Sequence, residues 1–250
     1  MLKTDGFDST SIGYFQINSA RFTLQARQAR FFIYFASRLF YNVQKTKGNL
    51  TVKRIMNTPE LETNRLILRK FSQADLPALF KILGDEDANT FLPWFVLKDL
   101  KETEKFYNER IANEYRKESA YFYAVCLKQD NIPIGYIKAS TEESYDFGYA
   151  LRKEFWHNGF VTESGRAVIQ QLKKDKIPYV TATHDIKNPR SGYVMQKLGM
   201  QYRYSYVEQW QPKNITVTFR MYQLNLDGNT DRVYKKYWET YPTHFIEKGL

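Results

Sequence analysis

Hydrophobic and polar positions change their spacing several times along the chain, and the changes predict alternating strands and helices. Apolar runs and period-two alternation are typical of strands, whereas apolar residues three and four apart are typical of helices. RLILRKF (65–71) has strand character. Ser72 is followed three residues later by Asp75, which predicts a capping-box-like start for a helix over 74–83. A second helical stretch is expected over 99–117.

The rest of the chain continues this alternation as far as residue 224. Three strands are predicted first, then a helix, a strand, a second helix and a final hairpin. The predicted strands cover 121–127, 132–139, 145–151, 179–183, 201–210 and 215–224, and the helices cover 163–174 and 189–198. This order predicts an α/β or α+β fold, in which helices pack on a mixed sheet.

The two ends of the chain differ from the patterned domain, which is expected to span 56–226. Residues 1–55 hold nine Lys and Arg but only two acids, which indicates a basic extension outside the fold. An organelle transit segment and an amphipathic helix over 27–41 on an anionic membrane are the alternatives. The tail, 227–250, is rich in aromatic residues and is therefore expected to pack on the domain or on a partner chain, such as a second copy.

Composition and charge narrow the function classes. The formal net charge is +10, but residues 56–250 hold 28 basic and 25 acidic residues and no basic stripe. Nucleic-acid binding is therefore not expected. No apolar run reaches the roughly 18 residues of a membrane span, so a membrane is not among the expected partners. No metal site is expected either. The single cysteine, Cys126, leaves no internal disulfide and fits a reducing, cytoplasmic setting.

The stretch WHNGFVTES (156–164) joins a predicted strand to a predicted helix. Free backbone N–H groups at a helix start attract anions, and Gly159 leaves room for a phosphate to approach. Thr162 and Glu163 are expected to cap the helix that follows. An ordinary tight turn without a ligand is the alternative interpretation.

A second motif, NPRSGYVMQKLGM (188–200), directly follows the strand YVTAT. Together with LETNRLILR (61–69) and FWHNGFVTES (155–164), it resembles the Gcn5-related N-acetyltransferase superfamily, and within it the ribosomal-protein-alanine N-acetyltransferase subgroup. The resemblance covers about residues 58–225. It implies a mixed, mostly antiparallel sheet that is split into a V and flanked by helices.

The resemblance also implies an acyltransferase that moves acetyl from its cosubstrate acetyl-CoA to a primary amine. The implied acceptor is a protein N-terminal α-amine. A small amine (polyamine, amino acid or antibiotic) and a non-catalytic acyl-CoA-binding role are the alternatives. The cofactor would lie in the V, and the residues implied in binding it are His157, Asn158, Gly159, Phe160, Val161, Thr162, Asn188 and Ser191.

Two positions depart from the family pattern. Val161 is bulkier than the small residue usual there. Many relatives carry a tyrosine, proposed to protonate the leaving thiolate, where this chain has Met195, so Ser191 becomes the candidate proton donor. A base must also take a proton from the attacking amine. The candidate bases are His184, Glu208, Glu142, Glu143, Asp146 and Asp185, and the sequence does not choose among them.

Overall fold

A computed structural model describes residues 41–46, 49–54 and 56–250, and contacts divide the chain into units 1–54 and 55–250. In the first unit, β1 (Tyr41–Thr46) and β2 (Asn49–Arg54) pair as an antiparallel hairpin. The amphipathic helix predicted over 27–41 lies outside the described residues, apart from Tyr41, which begins β1.

The first part of the second unit follows the predicted order of strand and helices. Its elements are β3 (Leu61–Glu62), β4 (Leu66–Arg69), α1 (Leu76–Leu83), α2 (Glu86–Asn89), α3 (Leu100–Phe106) and α4 (Ala112–Arg116). The backbone N–H of Ser72 donates to Asp75 Oδ2 at 2.7 Å, which closes the predicted capping box before α1. The helical stretch expected over 99–117 is present, but a π-helical turn over Tyr107–Ile111 separates α3 from α4.

The remaining elements also keep the predicted order, with shifted ends. They are β5 (Tyr121–Leu127), β6 (Pro133–Ala139), β7 (Phe147–Leu151), α5 (Phe160–Lys174), β8 (Tyr179–Asp185), α6 (Pro189–Lys197), β9 (Gln201–Trp210), β10 (Ile215–Asn225), α7 (Lys236–Thr240) and β11 (His244–Phe245). The helix predicted from Glu163 begins three residues earlier, at Phe160. Gly159, at φ +76°, makes the sharp left-handed turn that starts it.

The strands of this unit form two antiparallel sheets that meet at one point. β3-β4-β5-β6-β7 form one sheet, and β11-β9-β10-β8 form the other. β7 and β8 are joined at a single parallel bridge, between Asp146 and Thr181. Beyond that bridge the two strands separate: β7 pairs with β6, and β8 pairs with β10. The mixed α/β fold with helices flanking a split sheet is thereby confirmed. The gap between β7 and β8 is called the V opening below.

Three clusters of buried side chains hold the layers together. The largest lies between the sheets and the pair α5 and α6, and includes Val168 and Met195. The second packs α1, α3 and α4 on the opposite face of the first sheet and includes Cys126. The third joins β9 and β10 to the aromatic tail. No helix in the described residues is both long and apolar enough to cross a membrane.

Candidate active site

The turn before α5 exposes backbone N–H groups at a helix start. His157, Asn158 and Gly159 are all exposed, and among the described residues no side chain caps the helix. A Cβ built on Gly159 would meet one group within 4 Å, the Nη2 atom of Arg65 at 3.7 Å. An open helix start of this kind, bordered by a guanidinium, can hold a phosphate.

Glu163 locks this turn to the chain between β3 and β4. Its carboxylate accepts from Thr63 Oγ1 at 2.6 Å, from the Arg65 backbone N–H at 3.0 Å and from Arg65 Nε at 2.7 Å. Arg65 also donates from Nη2 to the carbonyl oxygen of Asn158 at 3.0 Å, and its guanidinium lies 4.3 Å from the centre of the Phe160 ring. Burial opposes ionisation of Glu163, but these hydrogen bonds outweigh it and lower its pKa.

The expected cap by Thr162 and Glu163 is therefore wrong. Because α5 begins at Phe160, both residues lie inside its first turns, and Glu163 reaches back to β4 instead. The sequence did not single out Thr63 and Arg65 as site residues. The signal for them was present in the motif LETNRLILR, whose third and fifth residues they are.

A groove beside the turn carries basic side chains. Its lining includes Thr162 and Gly159 from the turn, the cations Arg65, Arg166 and Lys197, and the acids Glu62 and Glu163, of which Glu163 pairs with Arg65. Val161 does not contribute to the lining and packs against the largest buried cluster. Its bulk is therefore directed towards the core, so it leaves the outer surface of the turn open.

Tyr149 spans the V opening. Alternation along β7 places Phe147, Tyr149 and Leu151 on the face towards the largest cluster. The Tyr149 hydroxyl lies 2.9 Å from both the carbonyl oxygen and the hydroxyl of Ser191, in the first turn of α6. The Asn188 side chain accepts from the Ser191 backbone N–H at 3.4 Å and caps α6. The sequence singled out Asn188 and Ser191 but not Tyr149.

His184 lies buried beneath α6. Its Nδ1 atom is 2.8 Å from the carbonyl oxygen of Asp185, and its Nε2 atom has no partner among the described residues. A Cβ built on Gly192 would be 2.7 Å from Nε2, so ring and helix fit together only because position 192 is glycine. Burial lowers the pKa of His184, which favours the neutral imidazole.

Glu208 lies on the opposite side of the second sheet from α6, on the face that the tail covers. It follows Tyr206 by two residues in β9, so the two side chains share that face. Burial raises the pKa of Glu208, and a hydrogen bond with Tyr241 of the tail opposes the rise. Burial also raises the pKa of Asp146, at the point of the V. Raised values bring both carboxyls closer to the range of a general base.

The other candidate bases lie in more ordinary surroundings. Glu142 and Glu143 are exposed, and Asp185 accepts from the backbone N–H of Lys187 at 2.8 Å. Nowhere in residues 56–250 do three or more His, Cys, Asp or Glu side chains gather as a metal site requires.

The loop after α2 and the β9–β10 hairpin are joined by hydrogen bonds. Lys213 in the hairpin donates from Nζ to the carbonyl oxygens of Asn89 and Thr90, at 3.1 and 3.0 Å. The indole Nε1 of Trp94 donates to Asn89 Oδ1 at 3.1 Å. These bonds hold the loop after α2 against the β9–β10 hairpin.

Known proteins share both sequence and fold with this chain. Residues 65–201 match the family described as acetyltransferase (GNAT) domain. The chain is 24% identical over 145 residues to the uncharacterized N-acetyltransferase YnaD of Bacillus subtilis (strain 168). The aligned region covers 56% of this chain and 82% of that relative.

Two solved structures illustrate the shared fold. An acetyltransferase of the GNAT family from Bacillus anthracis superposes with a TM-score of 0.60 at 23% identity, over 68% of this chain and 99% of that one. RimL, a ribosomal L7/L12 alpha-N-protein acetyltransferase in complex with coenzyme A, gives a TM-score of 0.57 at 20% identity, over 66% of this chain and 96% of that one.

Proposed function

The chain belongs to the GNAT acetyltransferase family, and from that premise we propose that this acyltransferase moves acetyl from acetyl-CoA to a protein N-terminal α-amine. One observation carries the proposal. An open helix start with a basic rim lies beside a V opening, and a hydrogen-bonded pair of hydroxyls crosses that opening. We assign the catalytic domain to residues 56–226.

In this proposal the turn before α5 holds the pyrophosphate of acetyl-CoA. The backbone N–H groups of residues 157–162 supply the donors, and Arg65, Arg166 and Lys197 supply positive charge. The pantetheine then follows the V opening past Asn188 and Ser191. The inward packing of Val161 supports this placement, because its side chain leaves the turn accessible.

The chemistry needs one proton acceptor and one proton donor. The amine nitrogen attacks the thioester carbonyl carbon, a C–N bond forms, the C–S bond breaks, the nitrogen loses a proton and the thiolate gains one. We assign the acceptor to Glu208, because burial raises its pKa while its side chain stays partly exposed, whereas His184 is buried beneath α6. The donor is the hydroxyl pair of Ser191 and Tyr149.

The α-amine acceptor is supported by the three motifs and by a fold shared with RimL, a ribosomal alpha-N-protein acetyltransferase. An α-amine has an ordinary pKa of about 8, against about 10.4 for a lysine, so it needs only a weak base. A small cationic amine is the second candidate. The partly buried carboxyls of Asp146 and Glu208 favour it, because a carboxylate can pair with an ammonium group.

A single-turnover assay with radiolabelled acetyl-CoA tests the proposal. The acceptors are peptides with free N-termini, the same peptides with blocked N-termini and one lysine, and polyamines. We expect label on the free α-amines and little on the blocked peptides. Preferential labelling of polyamines would select the second candidate. Binding of acetyl-CoA without transfer to any of these amines would contradict both.

A further inference from the structure

The helix that follows β8 lacks the phenol that many relatives place there. Met195 occupies that position, and its side chain is 1% exposed within the largest buried cluster. A thioether has no proton to give. A thiolate leaving group in this enzyme therefore needs a proton from a group other than residue 195.

Tyr149 brings a phenol to the same opening from the other side. Its side chain starts on β7, one arm of the V, and its hydroxyl ends at Ser191, beyond the other arm. The Ser191 carbonyl can only accept, so the Tyr149 hydroxyl donates to it, and the Ser191 hydroxyl is free to donate to the Tyr149 oxygen. A donor on its oxygen stabilises the phenolate, so Ser191 makes Tyr149 a better acid.

The two hydroxyls differ greatly as acids. A phenol has an ordinary pKa of about 10, whereas an aliphatic hydroxyl is close to water in acidity and is a far weaker acid. Burial raises the pKa of Tyr149, and the hydrogen bond from Ser191 opposes that rise. The phenol therefore keeps its proton at neutral pH and remains the more acidic member of the pair.

We propose that Tyr149 is the proton donor to the leaving thiolate, and that Ser191 is a positioning residue that orients it. In this step the Tyr149 hydroxyl turns from the Ser191 carbonyl to the sulfur, its O–H bond breaks and an S–H bond forms on coenzyme A. The phenolate then recovers a proton from water once the products leave. The assignment rests on the proposed acetyl transfer, and it replaces Ser191 as the residue that gives up the proton.

The test compares Tyr149→Phe with Ser191→Ala, with Tyr193→Phe as a matched control, because Tyr193 is 61% exposed on the surface of α6. Thiol release from acetyl-CoA is measured with an acceptor amine and, separately, with water as the only acceptor. We expect Tyr149→Phe to lower kcat about 100-fold, the lower end of a general-acid effect. The Kd for acetyl-CoA by calorimetry and the melting temperature should stay near wild type.

Ser191→Ala should lower kcat by less than Tyr149→Phe, because the backbone carbonyl of residue 191 still orients the phenol. A second acyl donor, the acetyl ester of selenium-containing coenzyme A, separates catalysis from structure. A selenolate leaves without needing a proton, so the defect of Tyr149→Phe should shrink with this donor. A purely structural role would give the same defect with both donors.

The proposal is overturned if Tyr149→Phe stays within twofold of wild type, if its defect is equal for sulfur and selenium, or if Ser191→Ala is the more damaging change. Thiol release to water alone, without transfer to any amine, would contradict the proposed function while still testing Tyr149. A wild-type enzyme that releases no thiol under either condition would refute both.

Discussion

At the scale of single residues, the site depends on side chains that contact each other across long stretches of sequence. Glu163 and Arg65 are 98 positions apart and together hold the turn before α5. Tyr149 and Ser191 are 42 apart and meet across the V opening. Such pairs have no local signature, because the contact exists only after the sheets and helices have packed.

Removing the guanidinium of Arg65 should loosen the turn. We expect Arg65→Ala to weaken acetyl-CoA binding about tenfold, which corresponds to about 1.4 kcal/mol. This modest figure reflects the exposure of the Arg65 side chain, which is 48%. Calorimetry with acetyl-CoA measures the effect, and the exposed Arg110→Ala is the control. Equal affinities for the two variants would show that the pair of Arg65 and Glu163 does not shape the site.

Glu208→Gln should separate activity from stability. As a base, Glu208 must be ionised, so wild-type kcat/KM should rise with pH through its pKa, and the variant should lose that rise and most of its rate. The pKa of Glu208 is higher in the folded than in the unfolded chain, because burial penalises the charge. The folded state therefore binds more protons, and ionised Glu208 reduces stability as pH rises.

The variant should accordingly melt at a higher temperature than wild type at pH 8, and the difference should vanish below the ordinary glutamate pKa of about 4.3. Melting curves at both pH values check this expectation. A variant that is inactive but no more stable at pH 8 would leave Glu208 without the burial penalty assigned to it. Full activity would remove it as the base.

At the scale of elements, α6 and β8 fit together because of one glycine. Gly192 lies over the ring of His184, and a Cβ there would approach Nε2 to 2.7 Å. The helix can therefore lie close to the strand, and this closeness places Ser191 within reach of Tyr149. The packing of two elements thus determines the position of the hydroxyl pair.

Gly192→Ala should force α6 away from β8. Overpacking of this kind costs about 1–3 kcal/mol of unfolding free energy. The double variant, Gly192→Ala with His184→Ala, should recover part of this loss, because removing the imidazole ring makes room for the added methyl group. Denaturant unfolding of the two single variants and the double variant measures the coupling. Additive losses in the double variant would mean that the ring and the glycine do not interact.

Much of the element order follows from the sequence, and the exceptions have physical reasons. β5, β9 and most of β6 and β10 lie where apolar runs predict them, because burial of a strand face leaves a regular pattern. The start of α5 is misplaced because the positive φ of Gly159, not a polar cap, begins it. Four short elements of the second unit, β3, α2, α7 and β11, were not predicted, and the last two pack against β9.

At the scale of the whole second unit, the aromatic tail contacts the second sheet along β9. Tyr241 stacks on Tyr206 with ring centres 4.8 Å apart, and Trp238 meets Tyr204 edge to face at 5.5 Å. Arg220 donates from Nε to Glu247 at 2.9 Å and anchors the end of the tail. The tail therefore contributes both to the third buried cluster and to the surroundings of Glu208.

Trp238→Ala should release the tail from β9. The side chain is half-buried, so we expect a loss of about 2 kcal/mol of unfolding free energy, below the 3–5 kcal/mol of a fully buried tryptophan. Denaturant unfolding measures the loss. An exposed aromatic outside this cluster, Phe95, gives the control in Phe95→Ala. Equal stability of both variants would mean that the tail adds nothing to the fold.

The short strand β11 also bears on how copies of this protein meet. It pairs His244 and Phe245 with Tyr206 and Ser205, so it occupies the outer edge of β9 at those positions. An uncovered edge strand offers unpaired N–H and C=O groups to strands of other molecules and is a common origin of aggregation. For the β9 strands of two copies to pair at these positions, the tail would first have to detach from β9. Detachment of the tail would thus expose this part of β9 to pairing with a strand of another molecule.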